Sequence, residues 1–173
     1  LFNWGVVVTD ADGVALASEP AGHKSVGARH GDLPFFAQLK TADKPVITPP
    51  TIGQRSGAPV IGIAMPIRTP EGRYIGVVIG VINLRESNFL DQISNAKYGR
   101  TGDFLVTDIE SRSCIASSDK ARVMNVGPAA GVNPLYDRYL AGHEGSGVAV
   151  SSRGVEELSS SAKIGTTGWL MQS

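Results

Sequence analysis

One cysteine, Cys114, stands in 173 residues, so no internal disulfide can staple the chain. A lone thiol fits a cytosolic protein and a periplasmic one that avoids disulfides equally well. Because Cys114 falls in a strand-like run, it reads as a small buried hydrophobe rather than a reactive group. Neither sign of charge is in surplus, with 16 Lys plus Arg against 16 Asp plus Glu. That balance excludes the basic footprint of a nucleic-acid binder, which needs cations to neutralise phosphates. No run of like charges suits an anionic membrane surface. Long apolar runs are lacking too. The longest, Ile75 to Ile82, holds about eight residues against the roughly 20 that a spanning helix requires, and no leader peptide is legible.

Catalytic and metal patterns are equally scarce. His23, His30 and His143 share no metal spacing with one another or with Cys114. His143-Glu144 opens like a zinc-protease motif but continues Gly-Ser-Gly, without a second histidine. There is no Gly-x-Ser-x-Gly elbow and no phosphate loop, and Gly76 and Gly80 lie inside a strand-like run. Asp10 and Asp12 lack the third oxygen ligand and terminal Glu of a calcium loop, so they read as a turn. No catalytic residue, metal or cofactor is expected, and the chain is read as non-catalytic.

What is present is a repeat. Val7 to Ser18, VVTDADGVALAS, recurs as Leu105 to Ser118, LVTDIESRSCIASS, which places Asp108 98 positions after Asp10. Both copies read as strand, polar turn and strand, and the extra residue of the second falls in the turn. Asp32-Leu-Pro-Phe-Phe likewise matches Val132-Asn-Pro-Leu-Tyr, with Pro34 against Pro134. Two matches in one order argue for two copies of a single module. At 42% hydrophobic and 18% charged residues, the chain has the composition of an ordinary globular protein.

Within each copy the order is strand, strand, helix and further strands, which predicts an α+β module built on an antiparallel sheet of about five strands. In the first copy a helix is predicted over 33–40, capped by Asp32, with Phe35, Phe36 and Leu39 as its apolar stripe. Anchoring to the sheet is the plain role of that Phe pair. Two long strands follow, Pro59 to Arg68 and Tyr74 to Asn83. Ile61, Ile63, Met65 and Ile67 share a face opposite Gly62, Ala64 and Pro66, while Ile75, Val77, Ile79, Val81 and Asn83 oppose Gly76, Gly80 and Ile82. Both faces should be covered. A face of small residues suits the close approach of a helix, and an element upstream of Leu1 is the expected partner. Leu84 to Ala96 has the spacing of a connecting helix. In the second copy a helix capped by Asn133 is predicted over 133–140, followed by three strands.

These residues carry a family resemblance. The tandem pattern, with Asp32 to Leu84 and the run Tyr98-Gly-Arg-Thr-Gly-Asp-Phe-Leu-Val-Thr-Asp, resembles the double Cache extracytoplasmic sensor domains, two tandem PAS-like modules along a long N-terminal helix. The resemblance implies a membrane-distal ligand-sensing module over 1–84, a connecting helix over 85–97 and a membrane-proximal module over 98–173. It further implies a periplasmic domain anchored by flanking membrane helices, allows a homodimer, and expects a chemotaxis, histidine kinase or cyclic-di-GMP output. A small molecule is the expected partner. Arg29, Asp32, Phe36, Thr48, Arg55 and Asn83 are the candidate ligand residues, Arg29 or Arg55 as a fork for a carboxylate. For these the plain alternatives are a solvated arginine, a helix cap at Asp32 and a backbone cap at Asn83.

Amino-acid-binding members of that family carry an Arg-x-Trp-Tyr-like run near the helix and acidic residues on later strands. This chain has Asp-Leu-Pro-Phe-Phe and Asn83 there. A neutral amide does not offset a buried ammonium, so a small carboxylate or an uncharged metabolite is favoured over an amino acid. The competing classes are a cytosolic PAS- or GAF-like cofactor module and a soluble hydrolase.

Overall fold

The computed structural model describes residues 1–20, 26–53, 56–151, 154–165 and 167–173. The chain divides into two compact units, Leu1–Asn88 and Phe89–Ser173.

The first unit holds β1 (Gly5–Asp10), β2 (Ala15–Glu19), α1 (Pro34–Leu39), β3 (Val46–Ile47), β4 (Thr51–Ile52), β5 (Pro59–Arg68) and β6 (Tyr74–Asn83). Its antiparallel sheet runs β2-β1-β6-β5-β3, with β4 also paired to β5. The second unit holds α2 (Asp91–Ser94), the short pair β7 (Lys97–Tyr98) and β8 (Gly102–Asp103), then β9 (Leu105–Asp108), β10 (Cys114–Ser117), a 3₁₀ turn at Lys120–Arg122, α3 (Pro134–Leu140), β11 (Gly145–Val150), β12 (Glu156–Ile164) and β13 (Trp169–Gln172). Its main sheet runs β10-β9-β13-β12-β11. The five strands of the path β2-β1-β6-β5-β3 therefore each have a counterpart at the same place in β10-β9-β13-β12-β11, while β4 and the pair β7-β8 have none. This is an α+β fold with one PAS-like architecture given twice.

The repeated aspartates explain why both copies begin with a hairpin. Asp10 Oδ1 accepts the N–H groups of Asp12 at 3.0 Å and Val14 at 2.8 Å, a side-chain turn of the kind aspartate favours. Asp108 Oδ2 accepts the N–H of Ser111 at 2.8 Å and its hydroxyl at 2.6 Å. The first hairpin closes from Asp10 N–H to Val14 O, the second from Asp108 N–H to Ser113 O. The inserted residue thus lengthens the turn alone.

Three expectations are corrected. The register of β5 and β6 sets Gly62, Ala64 and Pro66 opposite Val81, Ile79 and Val77, and Ile63 and Ile67 opposite Gly80 and Gly76. Directly opposed residues share a face. The small residues of the two strands therefore lie on opposite faces, and no single small-residue face exists. At Gly80 the close neighbour belongs to this chain, since a Cβ there would sit 2.3 Å from the Phe2 ring. Next, the helix expected over 84–96 is confined to the single turn Asp91–Ser94. Side-chain amides take the backbone upstream of it: Asn83 Oδ1 accepts Arg85 N–H at 3.0 Å, and Asn88 Nδ2 donates to Glu86 O at 2.8 Å. Finally, Asp32 does not cap α1. The cap position is Leu33, with no side-chain bond, whereas Asn133 directly precedes Pro134 and accepts Tyr136 N–H at 3.0 Å. Asp32 stands one residue too early.

Cys114 is 6% exposed, and burial pushes its thiol up from 9.0 to about 11. The folded chain holds the neutral thiol, so stability is unaffected below pH 9 and falls as pH rises from 9 towards 11, where only the unfolded thiol ionises. A disulfide reagent at pH 8 is expected to label Cys114 slowly in the native chain and fast in urea. Equal rates would contradict its burial.

Candidate ligand site

Pro34 starts α1 at a position where its missing N–H is harmless. Phe36 and Leu39 lie three residues apart and so fall on one helix face, where they are 1% and 0% exposed. They pack on Ala64 of β5 and Val77 and Ile79 of β6, with Leu33, Phe35, Val46, Tyr74 and Val81 around them. The small Ala64 side chain lets the helix sit close to the sheet. Among the described residues no side chain of α1 bonds to the sheet. Its attachment within this layer is apolar.

Polar ties fall only at the ends. After α1, Arg68 Nη2 donates to Lys40 O at 2.9 Å and Ala42 O at 3.1 Å, and its guanidinium lies 5.9 Å from the Tyr74 ring centroid. The Tyr74 hydroxyl and Arg68 Nε are buried without a bonding partner. Burial raises the Tyr74 pKa, opposed by the Arg68 cation. Before α1, His30 N–H donates to Gly13 O at 2.8 Å and fastens the incoming segment to the first hairpin.

The expected site residues divide into groups. Phe36 and Thr48 are buried on the α1 side of the sheet, Phe36 as the helix anchor. Thr48 exchanges two bonds with Gly62: its Oγ1 accepts the Gly62 N–H at 2.8 Å, and its own N–H donates to Gly62 O at 2.8 Å. Arg29 and Asp32 are exposed on the segment leading into α1, where Arg29 bridges Val14. Arg55 lies outside the described residues. Asn83 is buried at the end of β6, with its amide engaged by Arg85 N–H at 3.0 Å and Glu86 Oε1 at 3.2 Å. Its backbone is held by Asn3 at 2.8 and 3.0 Å. Sequence reasoning did not single out Arg68 and Tyr74. They pair across strands only because the register shifts between Ile67 and Arg68, which nothing in the one-dimensional pattern signals.

The second unit shows the same layer built differently. Tyr136 and Tyr139 stand 100 positions after Phe36 and Leu39 and are likewise buried. The Tyr139 hydroxyl donates to Ser159 O at 2.9 Å. Arg112 lies 5.4 Å from the Tyr136 ring centroid and 3.1 Å from Asp137, which also accepts Gly131 N–H at 2.7 Å. Burial raises the Tyr136 pKa against the lowering effect of the Arg112 cation. Polar clamps hold α3, whereas apolar contact holds α1. Among the described residues no group of three His, Cys, Asp or Glu side chains could hold a metal, and no helix is long and apolar enough to cross a membrane.

The Cache domain family matches residues 2–172, nearly the whole of this two-unit chain. The chain belongs to the Cache domain family. Solved structures agree on the fold. A Desulfohalobium retbaense extracellular ligand-binding receptor is 17% identical with a TM-score of 0.70, over 99% of this Cache chain and 30% of the receptor. The ligand-binding domain of the Pseudomonas aeruginosa amino acid chemoreceptor PctB, in complex with L-Arg, is 19% identical with a TM-score of 0.70, over 97% of this chain and 69% of that one. The ligand-binding domain of the Pseudomonas fluorescens chemoreceptor CtaA, in complex with L-serine, is 18% identical with a TM-score of 0.62, over 97% and 70%. No curated protein matches the sequence. The expectation against an amino acid is not borne out. Similar domains carry amino acids, and of the two departures weighed against one, the Asn83 amide is engaged by its own chain and not free for a ligand.

Proposed function

We propose that this Cache chain is the extracytoplasmic sensing part of a membrane-anchored bacterial receptor, with a small organic ligand taken up between α1 and the sheet of the first unit. The observation that carries this reading is the contrast between the two layers. Parting α1 from its sheet breaks apolar side-chain contacts, with a polar tie from the sheet only at the helix end, whereas parting α3 breaks a tyrosine hydrogen bond and displaces an arginine clamp. A layer closed by non-directional contacts is the easier one to open for a guest. Phe36 and Thr48 line the proposed site and Arg29 and Asp32 form its rim. Amino acids belong to the ligand class, because related domains were solved with L-Arg, L-Gln and L-serine. Binding shifts an equilibrium between two packings of α1, and the ligand signals only through its differential affinity for them. Chemotaxis, histidine kinase and cyclic-di-GMP outputs are all compatible with such a sensor.

Thermal-shift screening of amino acids, organic acids, amines and purines tests the reading. A true ligand at 100 times its Kd stabilises by about 2.7 kcal/mol. If the ligand is a carboxylate held by Arg29, then Arg29→Ala is expected to weaken it by roughly 10- to 100-fold, because a charge-assisted hydrogen bond contributes about 1.5–3 kcal/mol. Exposure of Arg29 keeps that variant folded. Unchanged affinity removes Arg29 from the site; a panel without any stabilising compound removes the sensor reading.

A further inference from the structure

Among the described residues, the edge strand β11 is guarded by none of the devices that normally protect a sheet edge. It pairs with β12 residue for residue from Gly145 opposite Ser161 to Val150 opposite Glu156, without a bulge. Gly145 to Ser151 contains no charge and no proline. Val148 and Val150 are 59% and 61% exposed. Such an edge is a template for another strand. The other edges differ. β10 is buried throughout, and its Cys114 exchanges backbone bonds with Asn125 O at 2.9 Å and Met124 N–H at 2.8 Å. At β2, Ala15 bonds in the same way to Ala28 and Gly27. β3, the counterpart of β11, has two residues, with Pro45 before it and Pro49 and Pro50 shortly after.

The hydrogen-bond phase of β11 follows from its neighbours. Ser151 N–H donates to Val155 O, and Ser160 and Ser173 exchange bonds on the far side of β12. Bonding direction alternates along an antiparallel strand. Odd-numbered residues of β11 therefore bond to β12, and Ser146, Val148 and Val150 direct N–H and C=O outward. The strand borders an open groove of about 610 Å³, across which Gly147 approaches Leu135 of α3 and whose lining also includes Pro134 and Arg138, while Val148 and Val150 are exposed.

We propose that β11 pairs antiparallel with β11 of a second copy of this chain, about a two-fold axis at Val148. Val148 then meets the partner's Val148, Ser146 meets the partner's Val150, and the outward groups form about six backbone hydrogen bonds. Only Gly, Ala, Ser and Val oppose one another, so two identical strands meet without like charges or steric conflict. The zero net charge of the chain adds no long-range repulsion. A foreign peptide has little to be read by here. Gly147 and Ala149 offer no side-chain pocket, and Arg138, the one charged lining residue among the described residues, lies 3.1 Å from His143 Nε2.

Sedimentation of the full 173-residue chain tests the pairing. The wild type is expected to be a dimer. Val148→Pro removes an outward donor that the fold does not use, and Val148→Lys sets two cations face to face; either raises the dimer Kd at least about tenfold with an unchanged circular dichroism spectrum. If Val148→Pro fails to fold, Val148→Lys decides alone. Val148→Cys is expected to cross-link across the axis, where the Cα spacing is about 5.5 Å, whereas Ala149→Cys, opposite the partner's Gly147, is not. A monomeric wild type, a dimer that survives both substitutions, or cross-linking through position 149 instead of 148 overturns the proposal. So does a monomer whose groove captures an extended synthetic peptide, which would assign the edge to a foreign strand.

Discussion

Phe36→Ala is expected to destabilise the first unit by about 3–5 kcal/mol, the range for removing a buried aromatic ring. The physical reason is the construction of the α1 layer. Phe36 is 1% exposed and touches β5 and β6 through Ala64, Val77 and Ile79, and α1 has no side-chain cap to hold it independently. A helix of six residues is unstable alone, so its order depends on this packing. Urea unfolding measures the loss. Phe35→Ala, at a half-buried neighbour whose ring centroid lies 5.3 Å away, should cost clearly less. A loss below about 1 kcal/mol for Phe36→Ala would show that the layer is not what orders α1.

Gly13→Ala is the second large effect, and a different mechanism produces it. Gly13 has φ +79, and a Cβ there would lie 2.4 Å from Gly31 N and 3.0 Å from Phe36 Cε1. The left-handed conformation costs an L-residue roughly 1–2 kcal/mol, and forcing the backbone of the α1 entry segment aside adds about 1–3 kcal/mol. The sum is about 2–5 kcal/mol. Gly27→Ala separates the two contributions, because Gly27 has φ +81 but open space where its Cβ would go. It should show the conformational cost alone, about 1–2 kcal/mol. Equal losses at the two glycines would mean that the hairpin does not press against α1. The proposed ligand lies in that same layer, so Gly13→Ala is also expected to weaken binding, which Gly27→Ala leaves unchanged.

The duplication was legible because turn chemistry is local. Asp10 and Asp108 bond to residues within the same turn, so a short stretch of sequence contains the whole cause. Asn133 could be read as a cap for the same reason. Register is not local. Alternation correctly sorts side chains within β5 and within β6, but which residues oppose one another depends on the hairpin turn and on the shift at Ile67 and Arg68. That is why the small residues could be listed correctly and yet placed on one shared face. The helix over 84–96 failed because hydrophobic spacing carries no record of competing amides, and Asn83 and Asn88 took the backbone first.

At the site, the Phe36–Leu39 stripe announced itself by its three-residue spacing. The roles of polar side chains did not. Thr48 and Asn83 look available in sequence, yet both are engaged by their own chain, Thr48 with Gly62 across 14 residues. Arg68 joins its hairpin to Lys40 and Ala42, 28 and 26 residues earlier, a tie that only the folded chain reveals. Polar residues at strand ends satisfy backbone groups first, which leaves ligand contacts to be argued from geometry.

Hydrogen exchange with and without a stabilising compound addresses the sensor account most directly, because it reads α1 and α3 separately in one experiment. Ligand should slow exchange in α1 and in the facing parts of β5 and β6 while leaving α3 unchanged. Protection that appears at α3 and β11, with α1 unaffected, would contradict a guest housed in the first unit.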